Sequence, residues 1–191
     1  MSTSQENKHA SVDETAGALA EFAALRQELS DRSAEQGRIS AFQVTATAAI
    51  FGFALSASGR TAFLLIVPIM SYLFCSQYAV HHFAIRRIAG YIREELSPRI
   101  PGGLGWEAWL KELPPLRVVV GRMDPYFVLF PGLATLALAW AGPTVFSGWH
   151  GSIAPHTWLV LVWLLDLATS GLTVRTVALL LRSNFYDPAA P

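Results

Sequence analysis

Charge is scarce in this chain. Only 15% of its 191 residues are Asp, Glu, Lys or Arg, where a soluble domain of this size carries roughly 25%. With a mean hydropathy of +0.37 and 52% hydrophobic residues, that deficit argues against an ordinary cytosolic enzyme, a nucleic-acid-binding domain or a disordered tail. Lysine is nearly missing, since arginine supplies 12 of the 14 cations. Net charge is zero, 14 basic against 14 acidic residues, so no global field draws the protein to nucleic acid, and none is expected as a partner. The single cysteine, Cys75, excludes an internal disulfide. There is no phosphate-cradling glycine loop, no Gly-x-Ser-x-Gly and no His-Glu-x-x-His. Iron-holding histidine clusters and paired-aspartate signatures are missing too. The chain is therefore expected not to be an enzyme and to carry no cofactor and no metal. The first 38 residues hold no apolar core, so no cleavable signal peptide is expected.

Long uncharged runs are what the sequence does have. There are 21 residues without Asp, Glu, Lys or Arg between Arg38 and Arg60, 25 between Arg60 and Arg86, and 41 from Pro125 to Leu165. About 20 mostly apolar residues cross the ~30 Å of hydrocarbon in a bilayer, and helix is the default there because the backbone must satisfy itself. The expected fold is all-α: a polytopic integral membrane protein with four transmembrane helices in two hairpins and cytoplasmic amphipathic helices. The spans are placed at Ser40–Ser58, Thr61–Phe83, Asp124–Ala141 and His156–Leu181. The turn-rich stretch from Gly142 to Pro155 reads as a loop. The expected division is a disordered tail (1–13), a cytoplasmic helix (14–38), hairpin 1 (39–83), a cytoplasmic helical loop (84–123), hairpin 2 (124–182) and a tail (183–191). A soluble bundle is the competing reading, but its helices would carry charged outer faces.

Thirteen of the 14 basic residues fall at the termini and in the middle loop, and only Arg60 falls on the other side. The positive-inside rule then puts both termini in the cytoplasm of a cell-membrane protein. Trp140, Trp149 and Trp158 mark the outer interface; Tyr91, Trp106, Trp109, Tyr126 and Tyr186 mark the inner one. Ahead of span one, Leu19, Phe22, Leu25 and Leu29 give a narrow apolar stripe, suited to a solvated or loop-packed helix or to a short oligomerising one. Glu28–Arg32 and Glu35–Arg38 pair along that helix. After span two, Ile85, Ile88, Ala89, Ile92 and Leu96 keep one apolar face until Ser97-Pro98 ends the helix. Trp106, Trp109, Leu110 and Leu113 suit a short interfacial helix. With Arg86 and Arg87, its tryptophans are candidate inner-interface anchors.

Asp166 is the most informative residue. It falls near mid-span in the fourth segment, where a charge costs ~2.5–3.5 kcal/mol. Ser170 and Thr173, at i+4 and i+7, extend it into a polar stripe. The stripe reads either as a water-filled, proton-carrying or ion-binding path, or as a protonated carboxyl gluing helices together. Arg175 lies on the opposite side of the helix and is placed to snorkel. Span two offers a second stripe: Ser71, Cys75, Tyr78 and His82, with Gln77 and His81 beside it. The histidines are either an interfacial pair or a titrating gate. In span one, Ala48, Gly52 and Ser56 form a small-xxx-small packing ridge, for another span or another subunit. Pro131 predicts a kink or local opening in span three.

A helix, a tight transmembrane hairpin and then a long cytoplasmic helix make up the N-terminal half. That order resembles the SLATT group of bacterial membrane effectors, which sit beside nucleotide-second-messenger defence systems. The segment Ile88-Ala89-Gly90-Tyr91-Ile92-Arg93-Glu94-Glu95-Leu96, followed by Gly103-Leu104-Gly105-Trp106-Glu107, is similar to uncharacterised actinobacterial integral membrane proteins. The second apolar pair departs from the two-span pattern, and no family site transfers. What the resemblance implies is a membrane effector. The expected function is an oligomeric channel-like or membrane-perturbing effector controlled through its cytoplasmic helices. The alternatives are a non-catalytic scaffold presenting those helices to a partner, or a small transporter subunit. The expected partners are the lipid bilayer, further copies of the chain and a cytoplasmic protein.

Overall fold

A computed structural model describes residues 2–57, 60–105, 128–147 and 153–185. Among the described residues every regular element is helical. Helix α1 runs from Ser2 to Leu55. A 3-10 turn, Thr61–Leu65, leads into α2, Ile66–Tyr91. A π turn, Ile92–Leu96, and a 3-10 turn, Ser97–Arg99, close that segment. A second π turn, Val128–Gly132, precedes α3, Leu133–Ser147, and α4 spans Ile153–Phe185. Four stretches are long and apolar enough to cross a membrane: Glu14–Leu55, Thr61–Arg99, Leu129–Phe146 and Thr157–Leu180.

The helix boundaries depart from expectation in three places. First, α1 begins at Ser2, so the stretch expected to be a disordered tail is helical. No proline occurs before Pro68, and extending an existing helix fixes one residue per hydrogen bond gained. Second, α3 continues through Gly142-Pro143 to Ser147. These residues were expected to open a loop, but apolar spans tolerate such breakers because neighbouring helices re-satisfy the freed backbone. Third, α4 starts at Ile153 rather than His156 and ends beyond Leu181. The opening expected at Pro131 takes the form of the π turn around it; there Thr135 Oγ1 donates to the Pro131 carbonyl at 2.7 Å. The interfacial helix with Trp106 and Trp109 lies outside the described residues, as do Trp149, Tyr126 and Tyr186.

The chain divides into two compact units. One comprises Met1–Glu35 and His81–Val120. Its core is Ala18, Ile92, Leu96 and Ile100, covered by Phe22, Leu25 and Leu29 of α1 and by Ile88 of α2. Ala18, not Leu19, completes the α1 stripe, because positions 18, 22, 25 and 29 keep the i, i+4, i+7 period; Leu19 faces outward, 48% exposed. Glu28 and Arg32 pair at 2.6 Å on the outer face. The segment after α2 turns at Gly102 and Gly103, whose φ angles of 84° and 65° suit glycine; the Leu104 amide donates to Ser97 Oγ at 3.0 Å and closes the turn. Leu96 is fully buried in this core. Leu96→Ala is expected to destabilise the unit by about 2–4 kcal/mol and to speed amide exchange there, whereas Leu19→Ala leaves exchange unchanged.

Tyr91 Oη donates to Glu21 Oε1 at 2.7 Å within the same unit. That hydrogen bond, then desolvation, then the charge of Glu21 raise the phenol's pKa above its ordinary value. The folded state therefore keeps its proton at a pH where the unfolded chain has lost it. The contribution is complete below about pH 10 and fades as pH rises further toward the folded value. Thermal unfolding followed from about pH 9 to about pH 11 is expected to show a steeper loss for the native chain than for Tyr91→Phe.

The other unit comprises Gln36–Val80 and Gly121–Pro191. Its helices are inside-out relative to a water-soluble bundle. On α4, Leu165 and Leu167 are 55% and 50% exposed while Asp166 between them is 0% exposed. Phe42, Leu73, Val80, Leu136, Trp140, Trp158 and Leu161 likewise face outward. Exposed apolar side chains in this number mark a surface that meets a membrane or another protein.

Candidate functional site: a buried polar layer between two apolar clusters

Two apolar clusters divide the interior of the second unit. One gathers Ala54, Leu64, Leu65 and Val67 with Ala137, Ala141 and Val145 of α3, and Trp163 of α4 packs against it. The other gathers Cys75, Tyr78 and Ala79 of α2 with Phe130, Val177 and Leu180, and Ile39 of α1 packs against it. On every helix, the buried positions between the clusters are polar or small. On α1 they are Gln43 and Thr47, on α2 Ser71, and on α4 Asp166, Ser170 and Thr173; the π turn and α3 contribute Pro131 and Ala134. Helical spacing explains the alignment. Ser71 lies one turn from both Val67 and Cys75. Asp166 follows Trp163 by one turn, and Thr173 precedes Val177 by one turn.

The layer's hydrogen bonding is incomplete. Gln43 Nε2 donates to Ser71 Oγ at 2.7 Å and to Thr47 Oγ1 at 3.3 Å, tying α1 to α2. Thr173 Oγ1 donates to the Thr169 carbonyl at 2.9 Å. Gln43 Oε1, both carboxylate oxygens of Asp166 and Ser170 Oγ are buried and make no hydrogen bond among the described residues. Most buried polar atoms are satisfied, and each exception asks for a cause. A carboxyl serving only as packing glue spends its oxygens on neighbouring helices; Asp166 does not.

No protein-family model, characterised protein or solved structure matches this chain. What points to a function is therefore the geometry of the polar layer.

The structure sorts the residues expected to line a path. Asp166, Ser170, Thr173 and Ser71 share the polar layer. Cys75 and Tyr78 are buried one level along, inside an apolar cluster, where the Tyr78 ring tilts against Phe130 at 5.8 Å. His82 belongs to the other unit, half-buried, with its ring edge-on to Phe83 at 5.8 Å. His81 Nδ1 is buried in that unit without a hydrogen bond. Arg86 is half-buried there, Arg87 is exposed, and Arg175 on α4 is exposed. The ridge of Ala48, Gly52 and Ser56 is open: all three are exposed, and a Cβ at Gly52 would meet nothing within 4 Å. Ala48 lines an open, mostly apolar groove of about 360 Å³ with Val44, Thr47, Phe51, Leu133 and Leu136. Ser56 accepts from Arg60 Nη1 at 3.1 Å, and that guanidinium lies 4.7 Å from the Phe53 ring centre.

Sequence reasoning missed Gln43 and Thr47. The signal was available: two polar side chains at i and i+4 inside an uncharged run share one helix face.

Proposed function

We propose that the chain is a multi-pass cell-membrane protein with cytoplasmic termini that works as a channel-like conduit for a small charged species. The polar layer is the point on the path where that species is stabilised. The two apolar clusters are the closed gates on either side, since a dry apolar constriction blocks ions by dewetting. The unit containing Ala18, Ile92 and Leu96 is the controlling part, reached from the cytoplasm; α1 and α2 are continuous helices that contribute to both units. The observation that carries this reading is the fully buried Asp166 with neither oxygen partnered, because intramembrane acids lie on ion or proton pathways by default. The open ridge of Ala48 and Gly52 is the face on which further copies would pack.

Planar-bilayer recording of purified protein tests the proposal. It predicts unitary conductance steps under some cytosolic trigger and their loss in Asp166→Asn. A second reading, a scaffold presenting its cytoplasmic helices to a protein, is favoured by the separate apolar core of that unit. Under it, Asp166→Asn leaves partner binding intact and no conductance is found.

A further inference from the structure

We infer that the polar layer takes a proton, bound and released at the carboxyl of Asp166. The inference rests on the reading of that layer as functional and names the species it takes.

Asp166 has no ionisable neighbour on the elements packed against it. Its side chain is fully buried, and neither oxygen makes a hydrogen bond among the described residues. Helix α4 packs on α3, on the 3-10 turn Thr61–Leu65 and on the π turn Val128–Gly132. None of these three contains Asp, Glu, Lys, Arg, His, Cys or Tyr, and neither does α1 from Ile39 to Leu55. Helix α2 brings Tyr72, Cys75 and Tyr78 to this unit. Cys75 and Tyr78 pack with Val177 and Leu180, about three turns or more along α4 from Asp166. Arg175 of α4 is exposed.

Burial decides which form of the carboxyl this layer accommodates. A carboxylate taken out of water with neither counter-charge nor hydrogen bonds is very costly, and the neutral acid is far less so. The packed elements supply no fixed cation, so a mobile one has to balance the charge. A metal ion exchanges its hydration shell for several oxygens at once, about six to eight for calcium. Among the described residues no group of three or more His, Cys, Asp or Glu could hold one. A proton needs a single oxygen.

Uptake is a proton transfer from hydronium to a carboxylate oxygen. One O–H bond forms, one breaks, and a neutral acid and a water molecule result. Release reverses the step, and the ionised form is tolerated only while water reaches the layer. Ser170, one turn along the same face and also without a hydrogen bond, offers that water a hydroxyl that donates or accepts. Proton exchange is thereby tied to the opening of the apolar clusters on either side.

Two measurements on the full chain in liposomes test this. Infrared difference spectra, acid minus alkaline buffer, are expected to show the C=O band of a protonated carboxyl that shifts in D2O and is missing from Asp166→Asn, with equal amide bands reporting equal folding. Vesicles with a pH dye inside and valinomycin setting an inside-negative potential read the flux. The native chain and Phe130→Ala, which lacks the largest side chain of one gate, are expected to acidify them at least about tenfold faster than the same proteins carrying Asp166→Asn, equally in NaCl and in choline chloride. The absence of a titrating Asp166 band, or Asp166-dependent sodium or potassium flux without proton flux, would overturn the inference. A titrating Asp166 band with no flux of any ion leaves the proton site standing and removes the conduit alone. Ion flux that persists without a titrating band removes the proton site alone.

Discussion

Asp166→Asn is expected to cut flux through reconstituted protein by about tenfold or more, the kinetic equivalent of ~1.4 kcal/mol of lost stabilisation. Asparagine matches aspartate in shape, so the packing of Asp166 beside Trp163 and Ser170 should survive and the protein should accumulate normally. What disappears is the one formal charge of the polar layer, between Pro125 and Val174 on its helix pair and without an acidic or basic counterpart in the apolar runs of α1 or α2. A species crossing the bilayer meets its highest electrostatic cost at that depth. If the carboxyl lowers that cost, the amide does so far less. Dye-reported proton or alkali flux into proteoliposomes reads the effect, with circular dichroism confirming equal folding. Unchanged flux at equal incorporation would make Asp166 a packing residue.

Phe130→Ala is expected to do the opposite and raise resting leak by about tenfold. Phe130 is the largest fully buried side chain among the described residues. It fills the cluster that separates the polar layer from the ends of α2 and α4, packing with Cys75, Val177 and the Tyr78 ring. Removing the ring opens a void in the cluster that adjoins the polar layer, and a void within reach of polar groups can be wetted where a purely apolar one stays dry. Water lost from solvent does not drive helix association in a bilayer, so a core void there need not unfold the bundle. Phe130→Leu, which refills most of the space, is expected to restore low leak. A folded Phe130→Ala protein without added leak would remove this cluster from the role of gate.

Much of this was legible in the sequence. Charge-free runs located the four helices that are long and apolar enough to cross a membrane, because hydrocarbon tolerates so few charges that their absence is itself a signal. The α4 stripe of Asp166, Ser170 and Thr173 was equally plain, three polar side chains at helical spacing among leucines. Gln43 was not, since one amide between Phe42 and Val44 resembles an incidental polar residue until Ser71 is seen at 2.7 Å. Cys75 and Tyr78 are on the expected face but in an apolar layer, a difference of one helical turn that spacing alone does not register. The Ala48–Gly52–Ser56 ridge was legible as a run of small residues on one face, yet periodicity gives no information on whether a partner for it is internal. Gly142-Pro143 misled in a simpler way: these are strong stop signals for helices in water and weaker ones in spans.

The central claim is that hydrocarbon surrounds these helices while the polar face of α4 points inward. Nitroxide scanning of α4 from Leu161 to Val177 tests it most directly, one cysteine at a time in a Cys75→Ala background in liposomes. Oxygen collision rates should oscillate with a period of about 3.6 residues, low at positions 166, 170, 173 and 177 and high at 161, 165, 167 and 172. A water-soluble nickel complex should reach none of the high positions. Nickel access at Leu161 and Leu165, or oxygen maxima at Asp166 and Ser170, would contradict it.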